Sequence, residues 1–247
     1  MKTLFNLFAI IFTISLCSCS DKEESTIESP SNSKIVKSII VNGDIGLEGA
    51  NNIRYDSKGR VIQFREYSYS YNNGQLTVTS SKDNTYKIIA TLNDKGHITT
   101  ATMMAFDTYK REEFVSNHKF TYSPDGYLIH SSDNLSTGLR EQYAYFWSED
   151  LNLQKIVVGS KYQLFSYGTQ VNTTNIDLTY WTDDWGSYLA YEGYLGLFGF
   201  LGKSSKNLYT NTDGIDFRYN FNADGSLSEM YFYLDGPREN ISIKFTY

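Results

Sequence analysis

Beyond about residue 34, apolar and polar positions alternate with a period of two along most of the chain. Tyr67, Tyr69 and Tyr71 fall on one face and Ser68 and Ser70 on the other. Phe217, Tyr219 and Phe221 repeat the pattern, as do Ile241, Ile243, Phe245 and Tyr247. Alternation of this kind puts one side of an extended strand in a core and the other in water. Asn73-Gly74 turns the Tyr67–Tyr71 run back onto Leu76–Val78, because a two-residue hairpin loop needs positive φ at both central positions.

A second, seven-residue pattern punctuates the strands. An apolar or aromatic residue opens it, a polar turn follows with Gly at the fifth position, and an apolar residue closes it. It appears as Tyr55-Asp-Ser-Lys-Gly59-Arg-Val61, Leu92-Asn-Asp-Lys-Gly96-His-Ile98, Tyr122-Ser-Pro-Asp-Gly126-Tyr-Leu128 and Phe221-Asn-Ala-Asp-Gly225-Ser-Leu227. Trp147-Ser-Glu-Asp-Leu-Asn-Leu153 is a copy without the Gly. Asp56, Asn93, Ser123 and Asn222 suit the first position of a type I turn, and a left-handed Gly closes the hairpin through a one-residue bulge. The copies are unequally spaced, which excludes a solenoid or propeller built on one unit. Roughly twelve to fourteen short strands are expected, in an antiparallel meander of hairpins. So many strands must split or close to protect their edges. An all-β closed or nearly closed barrel is the first expectation and a β-sandwich the alternative.

The segment Gly193-Tyr-Leu-Gly196-Leu-Phe-Gly199-Phe-Leu-Gly202 interrupts the meander, with Gly at every third position. Each Gly inside a helix costs about 1 kcal/mol against Ala. A short helix or turn over 193–206, pressed against the barrel with Gly allowing close approach, is therefore expected; a lining for an apolar ligand cavity is the other reading. Gly202-Lys203-Ser204 is not a phosphate loop, since Leu197 stands where that motif needs its first Gly.

The N-terminus reads as an address. Lys2 precedes an apolar run from Leu4 to Leu16, too short to span a bilayer, and Leu16-Cys17-Ser18-Cys19 follows as a lipobox. This predicts a lipoprotein signal peptide over residues 1–18, removed so that an acylated Cys19 leads the mature chain. Ser20-Asp-Lys-Glu-Glu24 is similar to the acidic export signal of surface lipoproteins, which predicts an outer-membrane, lipid-anchored protein facing the cell exterior, with a periplasm-facing anchor as the alternative. Residues 19–33 are too polar to build a core and read as a flexible tether, leaving residues 34–247 as one domain.

Together, the hairpin motif, the lipobox and Leu197-Phe-Gly-Phe-Leu-Gly-Lys-Ser-Ser-Lys-Asn-Leu208 resemble the Bacteroidetes lipoproteins of unknown function with a porin-like β-barrel fold. The resemblance spans about residues 34–247 and implies a fold but no activity.

Composition narrows the chemistry. The formal net charge is −6, which becomes more negative when Lys2 leaves with the signal, and no basic run is present; nucleic acid is not an expected partner. Both cysteines lie at or before residue 19, so the domain has no disulfide. No HExxH, Gly-x-Ser-x-Gly or reactive Cys occurs in the domain. His97, His118 and His130 read as ordinary strand histidines, with His97, next to a turn Gly, expected at the surface. Trp181, Asp183, Asp184 and Trp185 crowd two indoles and two carboxylates into one short segment. Indoles stack on sugar faces and carboxylates accept sugar hydroxyls, so these four are the candidate ligand-binding residues. Adjacent turn carboxylates rarely reach the spacing of a glycosidase, and no Ca²⁺-loop spacing is present. Arg54, Lys87, Arg218 and Lys244 interrupt any apolar outer band, against a membrane-inserted barrel. The resulting expectation is a monomer without cofactor or metal that binds an extracellular glycan-like or lipid-like ligand without catalysis. The alternatives are a structural or adhesive protein contacting protein partners, and a hydrolase.

Overall fold

The computed structural model describes residues 34–43, 49–107, 112–180, 190, 192–233 and 240–247. Sixteen strands form one closed antiparallel barrel in sequence order. They are β1 Ser38–Asn42, β2 Gly49–Tyr55, β3 Val61–Phe64, β4 Tyr67–Asn72, β5 Gln75–Ser80, β6 Lys87–Leu92, β7 Ile98–Asp107 and β8 Glu112–Tyr122. There follow β9 Leu128–Leu135, β10 Arg140–Trp147, β11 Leu153–Val158, β12 Lys161–Val171, β13 Asn207–Thr212, β14 Ile215–Phe221, β15 Leu227–Tyr233 and β16 Asn240–Thr246. Pairing of β1 with β16, from Ser38↔Thr246 to Asn42↔Ser242, closes the ring. The barrel of the two expected architectures is the one found, with more strands than anticipated. The hairpin between β3 and β4 shows why: its two-residue loop is Arg65-Glu66, with Arg65 at φ 54 and no Gly or Asn to announce it.

The meander gives the barrel two unlike ends. All the seven-residue turns join an even strand to the next odd one, so they gather at one end, here called the base. The turns at 65–66, 136–139, 159–160 and 213–214 form the opposite end, the rim. The base turns have the expected geometry: Gly59, Gly96, Gly126 and Gly225 lie at φ 77 to 96, and each amide donates to the first turn residue, as Gly126 does to the Ser123 carbonyl at 2.9 Å. A one-residue register shift accompanies each of them, for example at Thr121/Tyr122. In the copy without Gly, Leu151 itself adopts φ 64.

Inward aromatics at the feet of six even strands, three of them residues that open the motif, have a second task. Tyr55 Oη donates to the Val36 carbonyl at 2.8 Å, Tyr71 to Val61 at 2.8 Å, Tyr122 to Ile98 at 2.6 Å and Tyr247 to Leu227 at 2.8 Å. Tyr219 reaches Tyr209 at 2.5 Å, and Trp147 Nε1 makes the same bond to Leu128 at 2.7 Å. In each case an inward aromatic at the foot of an even strand caps a carbonyl at the start of the odd strand beside it. These carbonyls sit where the ladder ends and would otherwise be buried without a partner.

Barrels of this strand number can enclose an aqueous channel; this one encloses side chains and its own backbone. Inward residues of β1 to β7 include Ile39, Phe64, Tyr69, Leu76, Val78, Ile88 and Met103, all buried. The segment from Asn172 to Lys206, between β12 and β13, enters at the base and packs among them. Its described helical content is two 3-10 turns, Leu178–Tyr180 and Glu192–Tyr194. Tyr69 Oη donates to the Gly193 carbonyl at 2.6 Å, and Phe198 lies edge-on to Phe64 with ring centres 5.2 Å apart. Near the rim Arg65 donates to Tyr194 Oη at 3.0 Å. The chain then returns to the base, where the Ile98 amide meets the Phe200 carbonyl and the Lys203 amide meets the Gly126 carbonyl. The Gly-rich run is therefore a plug inside the barrel rather than a segment pressed on its outside. A Cβ on Gly196 would lie 2.6 Å from the Tyr180 ring, and one on Gly202 2.9 Å from the Gly126 carbonyl. The returning plug also corrects the expectation for His97, which is 1% exposed: its ring packs on Tyr122, centres 5.3 Å apart, beneath Gly126.

The outer wall mixes polar and charged positions with exposed apolar ones such as Phe146, Tyr162, Leu164 and Tyr233. Ser68, Ser70, Thr79, Thr91, Thr100, Asn117, Lys119, Thr121 and Asn134 all face outward and exposed on β4 to β9, as do Arg54, Lys87, Arg218 and Lys244.

Two tests follow from the base. Gly126→Val should lower stability by roughly 1–3 kcal/mol, for a β-branched residue at positive φ, whereas Leu151→Gly should leave stability unchanged or raise it by up to about 1 kcal/mol; urea unfolding of both variants checks the pair. Burial raises Tyr55 and Tyr247 from the usual phenol value to about 12, and burial raises Tyr69, Tyr71, Tyr122 and Tyr219 as well. Unfolded tyrosines lose their protons near pH 10, so the stability these phenols carry is complete below pH 10 and lost as pH rises toward 12 and beyond. Phenolate absorbance should rise together with loss of near-ultraviolet circular dichroism in one cooperative alkaline transition, not in a gradual titration.

Candidate functional site: a cleft in the rim

The rim is uneven because its hairpins differ in height. β10 pairs with β11 only from Tyr143↔Val158 onward, while Arg140, Glu141 and Gln142 continue upward paired to β9 alone. The low turn Gly159-Ser160 therefore leaves a notch. A cleft of about 990 Å³ occupies it, lined by His130, Leu139, Arg140, Glu141, Gln142, Tyr143, Ala144, Val157, Val158, Gly159, Ser160 and Lys161. This size suits a small ligand, and the lining mixes apolar walls with groups that donate and accept. Alternation decides which residues reach it from which side. His130, Arg140 and Gln142 come from the outer face, whereas Glu141, Tyr143 and Lys161 belong to the inner face and look through the notch into the barrel.

Behind Glu141 lies a buried polar network on the inward positions of β8, β9 and β10. Tyr143 donates its hydroxyl to the Glu141 carboxylate. Burial first, and then that bond and the charge of Asp133, push the Tyr143 phenol well above its usual range. Ser131 Oγ and Tyr145 Oη are 3.0 Å apart. His118, directly across the ladder from Asp133, places Nδ1 2.8 Å from Asp133 Oδ1 and Nε2 2.8 Å from Ser116 Oγ. A carboxylate only accepts, so the ring donates from Nδ1, and Nε2 shares the second bond with the serine hydroxyl. The connectivity is that of a nucleophile, base and orienting acid. Ser116, His118 and Asp133 are at most 1% exposed, however, and a nucleophile needs a reacting atom about 3 Å away. In this conformation the three form a satisfied polar strut between β8 and β9. Sequence reasoning read His118 as an ordinary strand histidine; the signal it carried was Ser116-x-His118 on one strand face, with the partner Asp133 unplaced until the register was known.

A second cleft of about 500 Å³ lies on the outer wall of β2 to β5, among Asn52, Arg54, Gln63, Arg65, Glu66 and Lys82. Its charges are largely used within it. Arg54 donates to Gln63 at 2.9 Å, and Glu66 holds both Arg65 at 3.4 Å and Lys82 at 3.6 Å.

Of the residues singled out from the sequence, Cys19, Trp181, Asp183, Asp184 and Trp185 lie outside the described residues, as do the signal peptide and the tether. The rim cleft carries none of those five. Its polar residues sit on strand ends and ordinary hairpins, where no motif marks them. Among the described residues no group of three or more His, Cys, Asp or Glu is placed to hold a metal ion.

With this geometry in hand, comparison with known proteins bears on the fold. A porin-like protein from Bacteroides vulgatus ATCC 8482 superposes with a TM-score of 0.66 at 13% identity, over 86% of this chain and 98% of that one. A porin-like protein from Bacteroides uniformis ATCC 8492 does so with a TM-score of 0.63 at 16% identity, over 85% of this chain and 97% of that one. The barrel is a porin-like fold. No family model and no curated protein matches the chain. The fold that the sequence resemblance implied is thus found, with sequences that have diverged far.

Asp133→Ala removes the acceptor from a buried imidazole and should destabilise by about 3 kcal/mol, within the range for a broken buried pair. Equilibrium denaturation measures it, and Asp133→Asn, which keeps an acceptor oxygen, should cost less.

Proposed function

We propose that the chain is an outer-membrane lipoprotein, acylated at Cys19 and facing the cell exterior, that binds a glycan-like ligand without catalysis in the rim cleft. The observation that carries the reading is the contrast between lumen and rim. The lumen is filled by the chain's own plug, whereas the rim holds a cleft of about 990 Å³ where Arg140, Glu141, Gln142, Tyr143, Ser160 and Lys161 meet apolar Leu139, Val157 and Val158. Dense donors and acceptors beside apolar patches suit a ligand with many hydroxyls and small apolar ring faces. A fatty acid or sterol would call for a deep apolar chamber, the space that Leu195, Phe198 and Phe200 occupy. Exposed charges on the outer wall, Arg54, Lys87, Lys119, Arg218 and Lys244, support attachment by lipid rather than insertion into the bilayer, with the lipobox as the means of attachment. The porin-like name belongs to the structural neighbours; a lumen filled with Phe, Leu and Tyr supports binding over conduction here.

One observation favours a second reading, adhesion to a protein partner. Phe146, Tyr162 and Leu164 are each about half exposed on the outer wall of β10 and β12, with Lys155 between the two rings, 5.9 and 4.8 Å from their centres.

Thermal unfolding of the full mature chain against neutral and acidic oligosaccharides, fatty acids and sterols tests the proposal. A saccharide at 100 times its dissociation constant should add about 2.7 kcal/mol, a shift of several degrees, and Gln142→Ala with Ser160→Ala should reduce it. A shift with lipids alone, or with no compound in the panel, would overturn the reading. Cys19→Ala should move the protein out of carbonate-washed membranes.

A further inference from the structure

We infer that the rim cleft is built for an acidic saccharide, one that carries a carboxylate or sulfate; this rests on the glycan reading above. The cleft holds Arg140, Lys161 and His130 against a single carboxylate, Glu141. Glu141 is already engaged by the Tyr143 hydroxyl on its own strand. Neither Arg140 nor Lys161 has an ion-pair or hydrogen-bond partner among the described residues. In the second cleft, by contrast, Glu66 takes up both Arg65 and Lys82. Other cations without an ion pair among the described residues, such as Lys87, Lys119 and Arg218, lie on the outer wall, whereas Arg140 and Lys161 share one concavity.

The two cations flank the notch, Arg140 on the outward side of the tall β10 and Lys161 on the inward side at the start of β12, just after the low turn. A guanidinium presents a planar fork that matches a carboxylate or sulfate edge, and an ammonium adds a point charge. An acidic group held between them would place its sugar ring over Val157, Val158 and Leu139, with ring hydroxyls toward Gln142, Ser160 and the free lone pairs of Glu141. A patch positive against a negative whole also draws an anionic ligand to the rim in preference to the rest of the surface.

The test is calorimetric titration of the full mature chain with three probes: a galacturonic acid trisaccharide, a sulfated galactose trisaccharide and a neutral galactose trisaccharide. At least one acidic probe should bind at least tenfold tighter than the neutral one, with affinity that weakens as salt rises. The double variant Arg140→Gln, Lys161→Gln should erase that tenfold preference while keeping the melting temperature. Lys87→Gln, on the outer wall of β6, should keep it. The carboxylate and sulfate arms show which anion the fork prefers. Equal binding of acidic and neutral probes, or an acidic preference that survives the double variant, would overturn this inference and leave the glycan reading standing. Absence of binding by all three would overturn both.

Discussion

The bond from an aromatic side chain at the foot of six of the eight even strands to a backbone carbonyl of the strand beside it organises this barrel. Tyr55, Tyr71, Tyr122, Trp147, Tyr219 and Tyr247 all make it. Antiparallel ladders satisfy backbone groups along their length but not where a bulge offsets the register, and the seven-residue turns of the base each carry such a bulge. A buried carbonyl left there would cost about 1–3 kcal/mol. A phenol or indole answers it while adding its ring to the core, so the same residue caps the ladder and packs the lumen. The abundance of Tyr follows from this double duty. The plug can then lie on a base whose polar groups are already satisfied.

The plug explains how a ring of sixteen short strands holds together without a disulfide between them. Side chains from the wall alone reach only part of the way across such a ring. The segment from Asn172 to Lys206 supplies the missing centre, and its glycines let the backbone pass where side chains would collide, as at Gly196 beneath Tyr180. Its two legs are tied to each other by the Asp177 amide and the Leu197 carbonyl at 2.7 Å, and to the wall at both ends of the barrel. Asp177 lies within this packing, and burial raises its carboxyl above the usual range against the bonds from Thr179 and Ser204.

How much of this was legible depended on whether the cause was local. The base turns were readable because a type I turn closed by a bulge demands Gly at one place, and Gly59, Gly96, Gly126 and Gly225 stand there. The rim turns were quieter: Arg65 takes a positive φ that Gly or Asn would usually advertise. Closure was foreseeable from the need to hide sheet edges, but the plug's position was not, since a Gly-rich apolar run looks the same inside a barrel as against it. His97 was misplaced for the same reason; its cover, the returning plug, lies about a hundred residues downstream. The rim cleft left no trace in the sequence, because it arises from a difference in height between neighbouring hairpins, a property of register rather than of any residue.

Lys34 and Tyr247, the first and last described residues, both lie at the base, with the closing pair β1 and β16 between them. The domain therefore has a polarity that its round cross-section hides. The chain enters and leaves the barrel at the base, and the hairpin loops of the rim point away from it along the barrel axis, so the cleft and the two ends of the described domain stand at opposite poles.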